Sequence, residues 1–550
     1  MNNKKVLIIG GVAAGASCAA RLRRLEENTE IIIFERGEHI SFANCGLPYY
    51  IGDVIQKRES LLLNTALSMK SRFNIDVRIR NEVKRILTGE KCVEVYDEAA
   101  GETYREYYDI LVLSPGANPA DPGIPGSDMA NVFRLRTIPD ADIIKLYIKK
   151  NKPDHGAVIG GGFIGLEMAE TLYQWGVKVH LIEATPQLMR SLDPEMAEFI
   201  HQHIREKQID LRLNETVTAL QGNGRVKRLI LGSGKDIPAD LIVLGIGVKP
   251  ESLLAREAGL AIGAGGGIIV DEYLRTSDPS IYAAGDAVQV KDFITDEDTL
   301  LPLAGPANRQ GWIIANNIAG RPVAYKGVQS TSIVSIMGMN AASTGKNEKS
   351  LKSLGISYRA CHVHPYSHAR YYPGAEQMCI KILFRPEDGK LLGAQIIGGE
   401  GVDKRIDVMA TALHAGMTVF DLQELELAYA PPFSSAKDPV NMAGYAAANI
   451  IQKNVDVAYW DEVTDAVSGG AFLIDARSRA EAADGMAPGA YNIPVDEIRS
   501  RLTEIPADRE ILVYCHAGVR SYVASRILRQ KGYRVKNISG GFRLYKTMNL

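Results

Sequence analysis

The sequence lacks any apolar run that approaches the roughly 20 residues of a membrane-spanning helix. It also lacks an excess of charge of one sign, because the formal net charge is −2 at pH 7, and we expect neither nucleic acid nor a membrane as a partner. A strand-like segment, KVLIIGG, starts almost at once and leaves no room for a signal peptide. These absences favour a globular cytoplasmic protein.

Cysteine is scarce. The six cysteines are widely scattered, which is typical of a reduced cytosolic chain and not of a disulfide framework. Four of them lie in apolar or strand-like segments and are expected to be core residues, namely Cys18, Cys92, Cys361 and Cys379. Cys45 and Cys515 lie in polar loops and are the candidates for chemistry.

The length of 550 residues predicts three to five domains, and the first begins with a nucleotide-binding pattern. Residues 4–9 read as a buried strand, GGVAAG as a turn, ASCAARLRRL as a helix and IIIFER as a second strand that ends at Glu35. This is a βαβ unit with an acidic residue 20 positions after Gly15. The middle glycine of the fingerprint is replaced by Val12, so a tight turn without a ligand stays open as the alternative.

The unit recurs in HGAVIGGGFIGLEMAETL, with glycines at 160, 162 and 165, and the next strand, VHLIEA, ends at Glu183. Each helix N-terminus offers free N–H groups and a positive dipole end to a diphosphate, and each carboxylate can accept from ribose hydroxyls. Two such units predict two dinucleotides in one protein.

Two further segments belong with the first nucleotide. LVLSPGA is a strand with a Gly/Pro exit turn, and TSDPSIYAAGDAV brings a strand to Gly285 and Asp286, whose carboxylate can accept from a ribityl hydroxyl. The second segment resembles a flavin motif of the pyridine nucleotide-disulfide oxidoreductases. The resemblance covers residues 1–450 and implies an FAD domain interrupted by a nicotinamide domain, then a dimerisation domain, and hence a homodimer.

SFANCGLPYY holds a single cysteine, Cys45, where flavin disulfide reductases usually have CxxxxC, and Tyr50 stands at the second position. A lone thiol beside a flavin can cycle only through a sulfenic acid, a persulfide or a mixed disulfide. Together with GGVAAGAS and HARYYPGAE, the segment resembles coenzyme A disulfide reductase, which implies a mixed disulfide of Cys45 with coenzyme A. Ser41 and Asn44 are expected to hydrogen-bond the thiolate or the bound thiol, and a buried structural cysteine is the alternative.

By the same resemblance, Tyr371 and Tyr429 act on the Cys45 site of the partner subunit, where a phenol can protonate a departing thiolate. Interface packing is the alternative, and Tyr372 could replace Tyr371. For the phosphates of coenzyme A we expect Arg21 and Arg24, although an arginine run on a helix is as often a solvated face.

The segment CHVHPYSH looks like a metal cluster. His362 and His364 would share a strand face, but no cysteine pair or carboxylate completes a ligand set, so we expect no metal. His368, next to the YYPG turn, is expected near the thiol site instead.

The last domain carries a second sulfur site. YCHAGVRS reads as strand, six-residue loop and helix, with Cys515 at its start and Arg520 adding positive charge. Loop N–H groups aimed at the sulfur would stabilise a thiolate or persulfide anion. With LIDARS and PGAYNIP the segment resembles a rhodanese domain, in which Met486 and Ala487 replace the usual His-Ile. Asp475 and Arg477 are expected to tie loops together, and the four residues between Cys515 and Arg520 favour sulfur transfer over a phosphatase loop, which needs five.

We therefore predict an α/β protein with two Rossmann-like domains, an α+β dimerisation domain and a small α/β rhodanese domain. The predicted ranges are 1–118 and 245–325 for FAD, 119–244 for NAD(P)H, 326–450 for dimerisation, 451–458 for a linker and 459–550 for the rhodanese domain. The predicted cofactor contacts are Gly10, Val12, Ala13, Gly15, Glu35, Arg36, Ser114, Pro115, Gly116, Gly160, Gly162, Phe163, Ile164, Gly165, Glu183, Gly247, Gly285, Asp286, Ala304, Pro431 and Phe433.

The predicted function is FAD-dependent reduction of persulfide or polysulfide sulfur, including coenzyme A persulfide, by NADH. NADPH is the alternative reductant. Reduction of coenzyme A disulfide is the alternative main activity, and a peroxidase or oxidase with a Cys45 sulfenic acid is a further one. A flavin redox sensor is the non-enzymatic alternative. Small thiols, persulfides or disulfides are the expected partners.

Overall fold

The structure is a computed structural model and describes residues 4–548. It forms two compact units, one of residues up to Thr185 with Arg212–Val328, the other of Pro186–Leu211 with residues from Gln329 onward. Among the described residues, no helix is both long and apolar enough to cross a membrane. The mixed α/β class predicted from the sequence is confirmed.

The first region contains a parallel sheet whose central strands, Lys5–Ile9 and Ile110–Leu113, are apolar and buried after their first residue, as a sheet with two covered faces requires. Its elements are β1 (Lys5–Ile9), α1 (Ala13–Leu25), β2 (Glu30–Glu35), α2 (Leu47–Ile51), α3 (Ala66–Phe73), β3 (Asp76–Ile79), β4 (Asn81–Leu87), β5 (Cys92–Asp97), β6 (Glu102–Tyr107), β7 (Ile110–Leu113) and β8 (Ala117–Pro119).

The chain then builds a second parallel sheet, in which β11, β10, β16 and β9 are neighbours. Its helix α6 belongs to the second compact unit. The elements are β9 (Val132–Phe133), α4 (Ile138–Asn151), β10 (His155–Ile159), α5 (Phe163–Gln174), β11 (Lys178–Ile182), α6 (Pro194–Glu206), β12 (Asp210–Arg212), β13 (Val217–Gly222), β14 (Val226–Leu231), β15 (Asp236–Pro238), β16 (Leu241–Leu244) and β17 (Val248–Pro250).

The next segment returns to the first sheet, whose strand order is β19-β7-β1-β2-β3. Its elements are α7 (Leu253–Glu257), β18 (Ile268–Ile269), β19 (Ile281–Ala283), β20 (Val288–Lys291), β21 (Asp298–Thr299) and α8 (Ala304–Ile318). The first sheet therefore takes its strands from chain segments before and after the segment that forms the second sheet, which is the interrupted order that the sequence predicts.

An antiparallel sheet of order β22-β23-β26-β25-β24 follows, covered by helices. Its elements are β22 (Ser332–Ile336), β23 (Met339–Gly345), α9 (Glu348–Ser353), β24 (Arg359–Val363), β25 (Cys379–Phe384), β26 (Leu391–Gly398), α10 (Val402–His414), α11 (Val419–Glu424) and α12 (Pro439–Ile451).

Helix α6 is fixed to this antiparallel sheet by a buried ion cluster. The ammonium of Lys381, on β25, lies 2.7 Å from the Asp193 carboxylate and 2.6 Å from Glu348, and it also contacts Glu195. Lys381 is fully buried, and these three carboxylates outweigh desolvation to raise its pKa. The carboxylates converge as metal ligands would, and the group that they bind is this ammonium.

The last region is a parallel sheet of order β27-β31-β30-β28-β29 with helices around it. Part of the predicted linker, Asp456–Ala458, forms the edge strand of this sheet, because its backbone pairs with β31. The elements are β27 (Asp456–Ala458), α13 (Trp460–Ser468), β28 (Phe472–Asp475), α14 (Arg479–Ala483), β29 (Ala490–Asn492), β30 (Glu510–Tyr514), α15 (Val519–Gln530), β31 (Arg534–Ile538) and α16 (Gly541–Met548).

Candidate active sites

The two glycine turns lead into helices whose N-termini have no side-chain cap. Val12 and Gly162 precede these helices, α1 and α5. A Cβ on Gly15 would lie 1.9 Å from the Gly10 carbonyl oxygen, and one on Gly165 would lie 1.9 Å from the Gly160 oxygen. Only glycine allows each helix to approach its strand this closely, so both turns have the diphosphate-binding form.

The acidic residue of each unit is fixed at its strand end by backbone donors. Glu35 accepts from Gly11 N at 3.0 Å and from Gly37 N at 2.9 Å. Glu183 accepts from Gly161 N at 2.7 Å and from Thr185 N at 2.8 Å. The matching geometry orients both carboxylates beside their glycine turns, where ribose hydroxyls would lie.

The other predicted cofactor residues of the first compact unit lie at strand ends or helix starts. Gly285 N donates to Gln310 at 2.7 Å, and burial raises the pKa of the neighbouring Asp286, with Arg136 opposing the shift. Arg136 was not predicted; it donates to the Pro115 carbonyl at 3.2 Å. Two further predicted contacts have a left-handed backbone, Gly116 and Gly247, and four lie in the first turn of a helix, Ala13, Phe163, Ile164 and Ala304. The Ser114 hydroxyl donates to the Ile9 and Gly10 carbonyls, and Arg36 pairs with Glu251 at 3.4 Å.

The Cys45 loop is tied directly to the first glycine turn. Ser41 has a left-handed backbone with φ of 47°, and its N–H donates to the Gly11 carbonyl at 2.8 Å. Its hydroxyl accepts from the Asn64 side chain at 3.3 Å. Cys45 follows in a short 3₁₀ turn, Asn44–Gly46, and is exposed, as is Asn44. The loop thus presents the thiol beside the nucleotide turn, and it is not a core cysteine.

Tyr50 occupies the position of the absent second cysteine and is structural. It is buried, its hydroxyl donates to Asp142 at 3.0 Å, and the Lys145 ammonium lies 3.7 Å from its ring centre. Lys145 also donates to the Tyr50 carbonyl at 2.6 Å and pairs with Asp53 at 2.7 Å. No second thiol is therefore available at this position for an internal disulfide.

Acidic groups surround Cys45 within this chain. Although the residue as a whole is exposed, partial desolvation of its sulfur raises the pKa of the Cys45 thiol, and the charges of Glu167 and Asp286 raise it further. Burial also raises the pKa of Glu167 to about 7, while the Tyr49 hydroxyl, 3.3 Å from its carboxylate, opposes the shift. Sequence reasoning missed Glu167 and Tyr49, and the only available signal was a glutamate two positions after Gly165 in the second fingerprint.

The two predicted tyrosines lie together. The hydroxyls of Tyr371 and Tyr429 are 3.0 Å apart, and the side chains are 77% and 48% exposed. A cavity of about 500 Å³ adjoins Tyr429 and is lined by His368 and Phe433 among others. His368 is buried with its ring edge-to-face to Tyr372, and the predicted contact Pro431 accepts from Ala369 N at 3.3 Å.

The arginines of α1 have different environments. Arg21 lies over the half-exposed Trp312 ring at 5.2 Å and donates to Asn316 at 3.2 Å, whereas Arg24 is exposed. Arg23 is buried and donates to the backbone carbonyls of Phe73 and Asn74, so its role is to fasten α1.

Cys515 lies at the end of β30 beneath a donor-rich turn. Its sulfur accepts from Gly518 N at 3.1 Å and from the Ser521 hydroxyl at 3.4 Å. The turn is shorter than the predicted six residues because Gly518, with φ of 106°, allows α15 to start at Val519. Arg520 therefore lies in the first turn of that helix.

Two ion pairs frame the sulfur loop. Arg520 binds Glu481 through two hydrogen bonds of 2.6 and 2.7 Å, which lower the pKa of Glu481 to about 2. Arg477 and Asp475 form a buried pair, and Arg477 also donates to the Gly485 carbonyl at 2.6 Å. The second pair ties loops together as expected, whereas Glu481 was not predicted.

The four remaining cysteines are buried, which supports their interpretation as core residues. Burial raises the pKa of Cys18, Cys361 and Cys379 to about 12.

Known families match the chain along almost its whole length. The pyridine nucleotide-disulphide oxidoreductase model matches residues 4–311, its dimerisation domain matches 331–439, and the rhodanese-like domain matches 460–548. The chain belongs to the pyridine nucleotide-disulphide oxidoreductases. Membership of this family makes it an oxidoreductase and implies FAD and NAD(H), as the resemblance predicted.

The relatives of this chain include coenzyme A disulfide reductases and a persulfide reductase. Coenzyme A disulfide reductases from strains of Staphylococcus aureus are 36% identical over 444 residues, which is 80% of this chain and 99% of theirs. The structure of reduced Bacillus anthracis CoADR-RHD is 51% identical with a TM-score of 0.98, covering 100% of this chain and 98% of that one. A NAD-dependent persulfide reductase from A. fulgidus is 36% identical with a TM-score of 0.93, covering 98% and 100%.

The residues of this chain fit the implied cofactors. Two uncapped helix N-termini, Gly15 and Gly165 at their close contacts, and the oriented carboxylates of Glu35 and Glu183 provide two separate dinucleotide cradles. The first cradle adjoins Cys45 through the hydrogen bond from Ser41 to Gly11. FAD therefore fits the first cradle and NAD(H) the second.

Proposed function

We propose that this protein is a homodimeric, cytoplasmic NADH-dependent flavoenzyme that reduces persulfide or polysulfide sulfur, coenzyme A persulfide in particular, at Cys45. Cys515 carries sulfane sulfur to this reaction. The observation that carries the proposal is the presence of two separate thiols in one chain. Cys45 is exposed and has the buried Tyr50 where a second cysteine would stand, and the Cys515 sulfur accepts two hydrogen bonds.

The rhodanese-like domain supports persulfide over disulfide as substrate, whereas coverage alone does not separate the two, because CoADR-RHD from Bacillus anthracis covers 100% of this chain. The S. aureus coenzyme A disulfide reductases are matched over 99% of their length by 80% of this chain, and the rhodanese-like match at 460–548 adds a sulfurtransferase-type module. The persulfide reductase from A. fulgidus matches 98% of this chain. Reduction of coenzyme A disulfide is the second candidate, favoured by the named relatives themselves.

In the proposed chemistry the Cys45 thiolate attacks the inner sulfur of coenzyme A persulfide. The outer sulfur leaves as hydrosulfide, and a Cys45–coenzyme A disulfide forms. FAD, when bound, supplies this disulfide with the two electrons of NADH. The S–S bond then breaks to give the Cys45 thiolate and free coenzyme A, so persulfide, NADH and a proton become thiol, hydrogen sulfide and NAD⁺.

The chain's own residues handle the protons and the charge. The paired hydroxyls of Tyr371 and Tyr429 donate to the departing coenzyme A sulfur, and their exposure supports action across the dimer interface on the partner's Cys45. Glu167, with its pKa near 7, takes up or releases a proton beside Cys45. Arg21 and Arg24 are proposed to meet the phosphates of coenzyme A.

Cys515 supplies the substrate by ordinary sulfur exchange. Its thiolate attacks the outer sulfur of a donor such as thiosulfate, sulfite leaves, and a persulfide remains on Cys515. The thiolate of coenzyme A then attacks the outer sulfur and releases Cys515. The pantetheine arm of coenzyme A is proposed to carry the sulfur to Cys45.

The deciding experiment compares kcat/KM for coenzyme A persulfide and coenzyme A disulfide at equal enzyme purity, with the thiol bound to Cys45 identified by mass spectrometry. A higher value for the persulfide supports the proposal. A higher value for the disulfide makes disulfide reduction the main activity. No turnover with either leaves the peroxidase or oxidase and the redox sensor as the remaining alternatives, which NADH oxidation in the presence of peroxide or oxygen separates.

A further inference from the structure

The histidine segment CHVHPYSH is used neither by the reductase chemistry nor by the sulfur chemistry proposed above, yet its first two histidines are buried. They lie on or just after β24 and contact a turn of the rhodanese-like domain. His362 N donates to the Ser539 hydroxyl at 3.1 Å, and its Nδ1 lies 2.9 Å from the same oxygen. His364 Nε2 donates to the Gly540 carbonyl at 2.9 Å.

A second contact fastens the helix that follows this turn. Arg543, in the first turn of α16, donates to the Gln377 carbonyl at 3.2 Å and contacts its side-chain oxygen. Gln377 in turn donates to the His364 carbonyl at 2.8 Å. We call His362, His364 and Gln377 the histidine clamp. All three belong to the dimerisation domain by its family match.

The clamped turn supports the backbone of the sulfur loop. Phe542 N donates to the Cys515 carbonyl at 2.7 Å, and Arg543 N donates to the His516 carbonyl at 3.0 Å. Gly541 packs so closely that a Cβ there would lie 2.5 Å from the Cys515 carbonyl oxygen. Any shift of the turn would therefore move Cys515 and His516.

The direction of these bonds matters for the chemistry. In a planar trans peptide the C=O and the next N–H point in opposite directions. Because α16 binds the carbonyls of Cys515 and His516, the N–H groups of the same two peptides, which belong to His516 and Ala517, point away from that helix. The orientation of loop N–H groups decides how well a sulfur anion is stabilised.

His364 is suited to a fixed role. Burial lowers its pKa to about 3, and Arg543 adds to the shift, so His364 stays neutral. Its Nε2–H therefore remains a donor to the Gly540 carbonyl. His362 is held on its other side by Glu195 at 3.1 Å.

We propose that the histidine clamp positions the Cys515 loop, so that sulfur transfer by the last domain depends on side chains of the dimerisation domain. This inference rests on the proposed role of Cys515 as sulfur carrier. The clamp residues are positioning residues, because they act on the sulfur through the Ser539–Gly541 turn.

The test uses the full-length, FAD-loaded enzyme and two assays: sulfur transfer from thiosulfate to coenzyme A, and NADH-dependent reduction of coenzyme A disulfide. His364→Leu removes the donor to Gly540 at similar volume, and His364→Gln restores an amide donor. Tyr459→Phe is the control, because its hydroxyl donates to the Ala360 carbonyl on the same strand at 2.9 Å.

For His364→Leu we expect kcat of sulfur transfer to fall about tenfold with KM for thiosulfate unchanged, which the orientation of loop donors explains. His364→Gln should recover at least half of the lost rate, and disulfide reduction should stay at the wild-type rate throughout. Wild-type sulfur transfer by His364→Leu, or an equal loss in Tyr459→Phe, would overturn the proposal.

If His364→Leu does not fold, Gln377→Ala provides the same test through Arg543, with an expected loss of about threefold in kcat; full activity there would also overturn the clamp. Cys515→Ser separates the two levels of inference. If that variant transfers sulfur as fast as the wild type, Cys515 is not the carrier and the proposed function fails, and the clamp falls with it. If Cys515→Ser loses sulfur transfer while the clamp variants keep full activity, the proposed function stands without the clamp.

Discussion

The hydroxyl of Tyr49 lies 3.3 Å from the carboxylate of Glu167, which places a titratable acid from the second glycine motif beside the Cys45 loop of the first. Burial raises the pKa of Glu167 to about 7, so this carboxyl changes charge near neutral pH. The ionised form opposes thiolate formation at Cys45, since its negative charge raises the pKa of the thiol.

Replacing Glu167 with Gln should therefore ease the ionisation of Cys45. We expect Cys45 in the reduced enzyme to react with iodoacetamide roughly two- to tenfold faster at pH 7, because a negative charge is removed. The rate-against-pH curve should also lose its inflection near 7. An unchanged curve would show that Glu167 is not electrostatically coupled to the thiol.

The same substitution has a signed effect on stability. Folding raises the pKa of Glu167 above its ordinary value of 4.5, so the protein loses stability as pH rises from that value through about 7. Glu167→Gln should melt at a higher temperature than the wild type near pH 8 and at the same temperature near pH 4. A difference that is equal at both values would point to packing instead.

Cys45→Ser should abolish reduction of persulfide and coenzyme A disulfide while FAD stays bound, because the thiol is exposed and does not support the nucleotide turn. The flavin absorbance and the rate of NADH oxidation measure the two properties. Cys92→Ser is the matched control, since Cys92 is a buried strand residue. Normal turnover by Cys45→Ser would remove the central claim.

Glu183 should make the enzyme prefer NADH. Its carboxylate is fixed by two backbone donors and would repel a 2′-phosphate by ~1–3 kcal/mol, or about 5- to 150-fold in kcat/KM. Glu183→Gln keeps the size but removes the charge, and it should narrow the ratio of kcat/KM for NADH over NADPH. Equal or better use of NADPH by the wild type would contradict this prediction.

The sequence predicted the fold and both sulfur sites because each depends on a short, local pattern: a glycine turn between strand and helix, the SFANCG loop and the CxxGxR loop. The sequence did not predict the side-chain contacts between segments that lie far apart in the chain. Tyr49 and Glu167 are 118 positions apart, and Arg520 and Glu481 are 39 apart, so no local spacing indicates either pair. The shared strand face of His362 and His364 was visible, but Ser539, 177 positions from His362, was not.

Tyr371 and Tyr429 should act together in the reductive step. Replacing both with Phe removes the paired hydroxyls and nearly preserves packing, and we expect kcat for coenzyme A persulfide to fall roughly 100-fold, as for loss of a general acid. Tyr372→Phe is the matched control, because its half-exposed ring neighbours His368. Flavin content should not change.

A mixed dimer decides whether these tyrosines act in trans. One subunit carries Cys45→Ser and the other carries Tyr371→Phe with Tyr429→Phe. If the tyrosines serve the partner's thiol, one of the two sites is intact and activity returns to about half of the wild type. If they serve their own subunit, neither site is intact and the mixed dimer stays inactive.

Cys515→Ser should abolish transfer of sulfur from thiosulfate or polysulfide to coenzyme A, because the sulfur that accepts from Gly518 and Ser521 is lost. The same variant should reduce free coenzyme A persulfide and disulfide at the wild-type rate, since the relay runs through diffusing or swinging coenzyme A and not through direct contact of the two thiols. Cyanolysis of the labelled protein measures the carried sulfur, and NADH oxidation measures the reduction.

Loss of both activities in a folded variant would make the two thiols one catalytic unit and contradict the relay. Loss of neither would mean that the last domain is a docking module, which would favour the sensor-like alternative.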